Sequence, residues 1–265
     1  MQTIGFIGVG NMGGAIARGL ISKNIISPNN LIMSGGSGPR TAKLQAEIGG
    51  NLLSNIEVAK HADILFIGVK PVIMPALLAE IKETLAARPN TLIVTMAVSL
   101  TIDWYEEQLS STIKLIRTMP NTPVAVGAGM TSIIPNGNIS PNELTSVQAF
   151  FNALGKTVVI EERLMDTASA LAGSSPALVD IFIEALADGA VAKGLPRAQA
   201  YEMAVQTIIG SAKLMQTTQL HPGELKDQVC SPGGTTIEAV KTLEKHNFRY
   251  AVIDAIGQCV DKAKK

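Results

Sequence analysis

Near the start of the chain, Gly8-Val9-Gly10-Asn11-Met12-Gly13 forms a GxGxxG that follows an apolar run at 3–7 and opens a helical pattern at 11–21. The strand before it and the helix after it supply the context that gives such a motif meaning. Gly8 allows a tight turn, Gly10 lets the backbone approach a pyrophosphate, and Gly13 permits close helix–sheet packing. The unpaired N–H groups of the helix start then face phosphate oxygens. The alternative is a glycine-rich turn with no ligand. Strand and helix patterns continue to alternate. Apolar runs at 31–34, 63–69, 91–96 and 113–119 read as strands, and 40–48 and 74–87 as helices. Parallel strands need crossover connections, so this alternation predicts a doubly wound, mostly parallel sheet. Runs at 129–134 and 157–160 flank a helix at 141–154 and close a first domain, residues 1–160.

The remainder, 161–265, shows helical patterns separated by SSP, GLP, HPG and SPGG breakers, and no convincing strand. Segment 176–191 (PALVDIFIEALADGAV) is apolar over much of its circumference. Such a helix must be buried, and a domain of about 100 residues has little to surround it with. A second subunit is expected to cover it; a central helix wrapped by its own domain is the other possibility. Two domains also suit 265 residues. A hydrophobic share of 46% excludes a disordered chain. Lys+Arg and Asp+Glu both number 22, which leaves no basic surplus to draw nucleic acid or an anionic membrane. Cys230 and Cys259 are too few for a disulfide framework. No apolar run is expected to reach the roughly 18 residues of a membrane span, and the first residues lack a basic signal-peptide region. A cytoplasmic protein is expected.

A site for NAD carries an acidic residue about 20 positions after the glycines, for the ribose 2′-hydroxyl. Here that region reads Ser34-Gly35-Gly36-Ser37-Gly38-Pro39-Arg40, with no Asp or Glu before Glu47. Hydroxyls and an arginine suit a 2′-phosphate, so NADPH is favoured and NADH stays open; Arg40 is alternatively a solvated residue in the first turn of its helix. Further on, Ser231-Pro232-Gly233-Gly234-Thr235-Thr236 precedes an amphipathic helix at 237–245. Two glycines before a helix start leave N–H donors and hydroxyls free for an anion. Equally, Thr235 or Thr236 could cap its own helix. His61, His221 and His246 lack metal-ligand spacing and a nucleophile partner, and read as structural. No metal site is expected.

Taken together, GVGNMG at Gly8–Gly13, GVKP at Gly68–Pro71, MPNTP at Met119–Pro123, LAGSSPA at Leu171–Ala177 and CSPGGTT at Cys230–Thr236 resemble pyrroline-5-carboxylate reductases. The resemblance spans nearly the whole chain. It implies a Rossmann N-terminal domain, an all-α C-terminal dimerisation domain interlocking with its partner, and, as in many members, dimers assembled into decamers. The implied reaction is NAD(P)H-dependent reduction of the cyclic imine L-1-pyrroline-5-carboxylate to L-proline. The cofactor would contact Gly8, Val9, Gly10, Asn11, Met12, Gly13, Ser34, Asn55, Val69, Lys70, Pro71, Met96 and Ala97, with Arg40 added from the reading of the 2′-site. The substrate carboxylate would rest on the Ser231, Gly233, Gly234, Thr235 and Thr236 loop, Thr236 being the catalytic candidate beside the ring nitrogen. Glu162 matches an acidic residue at the substrate site of some relatives, whereas Gln219 stands where some relatives carry glutamate. A β-hydroxyacid dehydrogenase would need a lysine on the long helix, and LAGSSPALVDIF has none. A non-catalytic NADP(H) sensor would have no need of SPGGTT.

Overall fold

The computed structural model of the chain describes residues 2–36 and 39–263. Ser37 and Gly38, part of the stretch read for the ribose 2′-group, lie outside the described residues, as do Met1, Lys264 and Lys265. The chain divides into two units, Met1–Gly173 and Ser174–Lys265.

The first unit is built on one sheet. Its strands are β1 (Ile4–Ile7), β2 (Leu31–Ser34), β3 (Asn51–Leu52), β4 (Ile64–Ile67), β5 (Leu92–Thr95), β6 (Lys114–Pro120), β7 (Gly129–Pro135) and β8 (Gly155–Val159). They lie in the order β3-β2-β1-β4-β5-β6-β7-β8. Every neighbouring pair is parallel except β6 and β7. Only a 3₁₀ turn, Thr122–Val126, separates those two, far less chain than a parallel crossover requires.

The helices packed on this sheet are α1 (Asn11–Ser22), α2 (Pro39–Ile48), α3 (Asn55–His61), α4 (Met74–Ala86), α5 (Ile102–Gln108) and α6 (Pro141–Asn152). β4 reads ILFI with every residue buried, because helices cover both faces of the sheet. Phe66 joins Phe6, Ile16, Leu20, Phe150 and Phe151 in one core layer, and stacks on Phe6 with centroids 4.7 Å apart. Its neighbours Leu65 and Ile67 point the other way, into a second layer with Val58, Leu77, Ile81 and Tyr105. The period-two alternation of strand side chains thus feeds two cores, each buried side chain contributing about 1.5–3 kcal/mol. β3, α3 and α5 were not read from the sequence. β3 has two exposed residues, and α3 and α5 have seven residues each, too short to show a helical period.

Past the short helix α7 (Met165–Ala168) and a π-helical turn (Ser169–Ser174), the second unit contains only helices among its described residues. These are α8 (Ser175–Val191), α9 (Arg197–Thr218), α10 (Pro222–Val229), α11 (Thr235–Lys245) and α12 (Phe248–Ala263). Among its described residues, only Ala187, Ala200 and Ala204 are buried. No large side chain is buried, so the unit has no core of its own. Val179, Ile181 and Leu186 of α8 are exposed in the single chain, and the domain does not wrap this helix. One expectation is corrected here. The helical stretch Glu162–Val191 is long and apolar enough to cross a membrane by length and composition. Scattered small and acidic residues interrupt its apolar runs without lowering its mean hydropathy below that of a span.

Candidate active site

The sheet order reverses between β1 and β4, since the chain builds β2 and β3 on one side of β1 before crossing to β4. Ligands of open α/β sheets bind outside the carboxyl ends of the strands at this switch point. Gly8 follows β1 there and Gly68 follows β4. The Gly8 N–H donates to Ser34 O at 3.1 Å and the Gly68 N–H to Ile7 O at 2.8 Å.

The glycine loop has the shape of a cradle. Gly8 has φ +89°, and a Cβ there would stand 2.8 Å from backbone atoms of Gly68 and Val69. A Cβ on Gly13 would meet Gly8 O at 2.6 Å, so α1 lies against the turn. At Gly10 a Cβ would find nothing within 4 Å. Gly10 is the N-cap of α1 and no side chain caps the helix; its first turn holds no acidic residue. Open space in front of unpaired N–H donors fits a pyrophosphate, and Val9, Asn11 and Met12 flank it.

Beside the loop a cavity of about 270 Å³ is lined by Gly8, Gly35, Gly36, Asn55, Val69 and Glu80, among others. Ser34, buried at the end of β2, donates its hydroxyl to Asn55 Oδ1 at 2.6 Å. The Asn55 amide donates in turn to Glu80 Oε2 at 2.8 Å. Asn55 opens α3, whose N-cap Ser54 accepts from the Glu57 N–H. Asn55 and Val69 line this cavity, and Ser34 is joined to it through the Asn55 side chain. Glu80, on α4, was missed: nothing in its local sequence distinguishes it from a solvated helix residue. Arg40 is exposed in the first turn of α2. Lys70 is exposed ahead of the 3₁₀ turn Pro71–Ile73 and makes no side-chain cap.

Met96 and Ala97 follow β5 at the same sheet end. The Met96 N–H donates to Ile67 O at 3.1 Å, and Met96 Cε lies 2.9 Å from the position of a Cβ on Gly68. Glu162 is placed in this unit too. Its Oε1 accepts from the Ile102 N–H at 2.8 Å and pairs with the buried Arg117 guanidinium. Arg117 also went unread, although an arginine inside the apolar strand KLIRTMP was a visible signal. In MPNTP, Asn121 is a staple, accepting from the Met130 N–H at 2.8 Å and donating to Ala172 O at 2.9 Å.

In the second unit, Gly233 takes φ +69° and turns the chain into α11, whose N-cap is Gly234. A Cβ on Gly234 would meet Ser231 Oγ at 2.4 Å. No side chain caps α11. The choice between capping threonines and free donors is thereby resolved: Thr235 and Thr236 are the first residues of the helix, and the N–H groups at its start are left open. Gln219 ends α9 with φ 56°, its side-chain amide donating back to Gln216 O at 2.6 Å. His221 Nδ1 accepts from the Gly223 N–H at 3.1 Å and so caps α10, a structural role as read.

Comparison with known proteins agrees with this geometry. Residues 162–265 match the family described as pyrroline-5-carboxylate reductase dimerisation, and residues 3–98 match NADP oxidoreductase coenzyme F420-dependent. The pyrroline-5-carboxylate reductase of Escherichia coli is 46% identical over 265 residues, covering 100% of this chain and 98% of its own. This chain belongs to the pyrroline-5-carboxylate reductase family. Among solved structures, the Plasmodium falciparum pyrroline carboxylate reductase with NADP bound superposes with TM-score 0.88 at 36% identity, over 99% of this chain and 97% of that one. The Coxiella burnetii pyrroline-5-carboxylate reductase gives TM-score 0.93 at 31% identity, with 99% and 97% covered. Reductase membership decides against a β-hydroxyacid dehydrogenase, and a dimerisation domain accounts for the uncovered α8.

Proposed function

We propose that this reductase acts in the cytoplasm as a homo-oligomer of at least two chains and reduces L-1-pyrroline-5-carboxylate to L-proline, with NADPH preferred over NADH. The observation that carries the reading is the pair of uncapped helix N-termini, at Gly10 and at Gly234, each presenting free N–H donors in a different unit. One suits a pyrophosphate and the other a carboxylate. Bound at the cradle, the cofactor supplies a hydride.

The loop Ser231, Gly233, Gly234 and Thr235 anchors the substrate carboxylate and so fixes the orientation of the ring. The Thr236 hydroxyl hydrogen-bonds the ring nitrogen, where the proton must arrive as the adjacent carbon accepts hydride. Alignment of this kind accounts for about 7–11 kcal/mol of a barrier. Preference for NADPH rests on Arg40 and on the lack of a carboxylate at the end of β2. Glu80, which lines the cavity beside the glycine loop, comes from α4 rather than from the end of β2, and its Oε2 accepts from the Asn55 amide.

NADPH oxidation with the imine, with proline identified as product and NADH run in parallel, tests the reaction and the preference. Thr236→Ala should lower kcat/KM by roughly 100-fold while leaving NADPH affinity nearly unchanged. Full activity in that variant would remove Thr236 from the mechanism.

A further inference from the structure

The β5–α5 loop carries Met96 and Ala97, and its backbone is tied down at three points. Thr95 Oγ1 lies 3.3 Å from the Ala97 N–H, which donates to it, and shares a 2.6 Å hydrogen bond with Tyr105 Oη. Val98 O accepts from Arg117 Nη2. The Ile102 N–H donates to Glu162 Oε1, the oxygen that also takes Arg117 Nη1. Arg117 thus grips the loop twice, directly at Val98 and through Glu162 at Ile102. Its side chain is 4% exposed, and its Nε is the one buried side-chain polar atom without a partner among the described residues. A guanidinium kept in the interior with one donor unmet is a costly way to hold a loop, since an unsatisfied buried donor is unfavourable.

We infer that Arg117 and Glu162 form a clamp that presets the β5–α5 loop, and through it the nicotinamide end of the cofactor bed, for hydride transfer. The inference rests on the proposed reduction and makes both residues positioning residues. Its geometric basis is that Arg117 pairs in register with Thr95, the last residue of β5, one strand beyond β4, and that Met96 reaches across to Gly68. A loop so held keeps the reacting centres at one separation; a loop released from it still binds the cofactor through the glycine cradle but samples poorer alignments. Glu162 then acts on substrate turnover without contacting substrate.

The test is single-turnover reduction of the imine by the full-length oligomer preloaded with NADPH, alongside NADPH affinity, KM for the imine and sedimentation. Glu162→Gln keeps the shape of the pair and removes its charge, while Arg117→Lys keeps the charge but cannot span both partners. Each should slow the single-turnover step by roughly 10- to 100-fold with NADPH affinity changed by less than about threefold. The double variant should be no slower than the worse single one, because the two residues act as a unit. Should Arg117→Lys fail to fold, Glu162→Gln decides. An unchanged single-turnover rate in a folded variant overturns the clamp. So does a rise confined to KM for the imine, which would make Glu162 a direct substrate contact. A parent protein that binds NADPH and reduces no imine would instead overturn the proposed function.

Discussion

At the residue scale, the glycine motif separates two jobs that sequence alone assigns together. Gly8 and Gly13 are required by the protein's own backbone, because a Cβ at either would strike it. Gly10 has φ −68° and open space around it. Alanine there costs the fold little, within about 0.5 kcal/mol. It does place a methyl where a pyrophosphate must approach. Gly10→Ala is therefore expected to keep the parent's melting temperature and weaken NADPH binding at least about tenfold, about 1.4 kcal/mol. Calorimetry and fluorescence titration check this, and tight binding by the variant would move the phosphates elsewhere. The close packing at Gly8 and Gly13 was legible from the motif and its strand–helix context, although the atoms that a Cβ on Gly8 would strike belong to Gly68 and Val69. Arg117 and Glu80 were not legible, since their partners come from other elements: Val98 and Glu162 for Arg117, Asn55 for Glu80.

At the element scale, β5 and α5 are joined by the hydrogen bond between Thr95 and Tyr105. Burial pushes the Tyr105 hydroxyl up to about 12, against the opposing effects of the Thr95 hydrogen bond and the Arg117 charge. The unfolded chain releases that proton near pH 10 and the folded chain only near pH 12, so the folded state binds more protons in between. Stability held below pH 10 is accordingly lost as pH rises through about 12. From about pH 9 to pH 11 the parent should lose about 1 kcal/mol more than Tyr105→Phe, read from urea unfolding at each pH. Equal slopes would mean the phenol titrates normally. The sequence did not reveal this pairing, because α5 is too short to show a period. The longer elements were legible for the opposite reason: α4 and α6 span three or more turns, and β4 is apolar throughout. β7 was found as a strand, yet its antiparallel direction followed from the shortness of the turn before it rather than from its own residues.

For the whole molecule, the second unit is the decisive fact. Among its described residues only three alanines are buried and its apolar α8 is left uncovered, in keeping with the dimerisation family that residues 162–265 match. Ile181, 63% exposed in the single chain, is a sensitive point on that helix. Ile181→Glu should leave a burial-starved monomer, with the dimer lost by sedimentation and activity lost with it, and the parent's melting temperature should rise with protein concentration. A fully active dimer of Ile181→Glu would place the interface on another face. Residue order alone was enough to specify the doubly wound sheet, the glycine turn between β1 and α1 and a second unit of helices with one apolar over much of its circumference, because strand period, glycine spacing and helical period are local patterns. Only tertiary structure showed that the α11 start is uncapped, that Glu162 is joined to Arg117, and that Glu80 lines the cavity beside the glycine loop. Those facts depend on which side chains meet across distant segments, and pairing across space leaves no periodic mark on the chain.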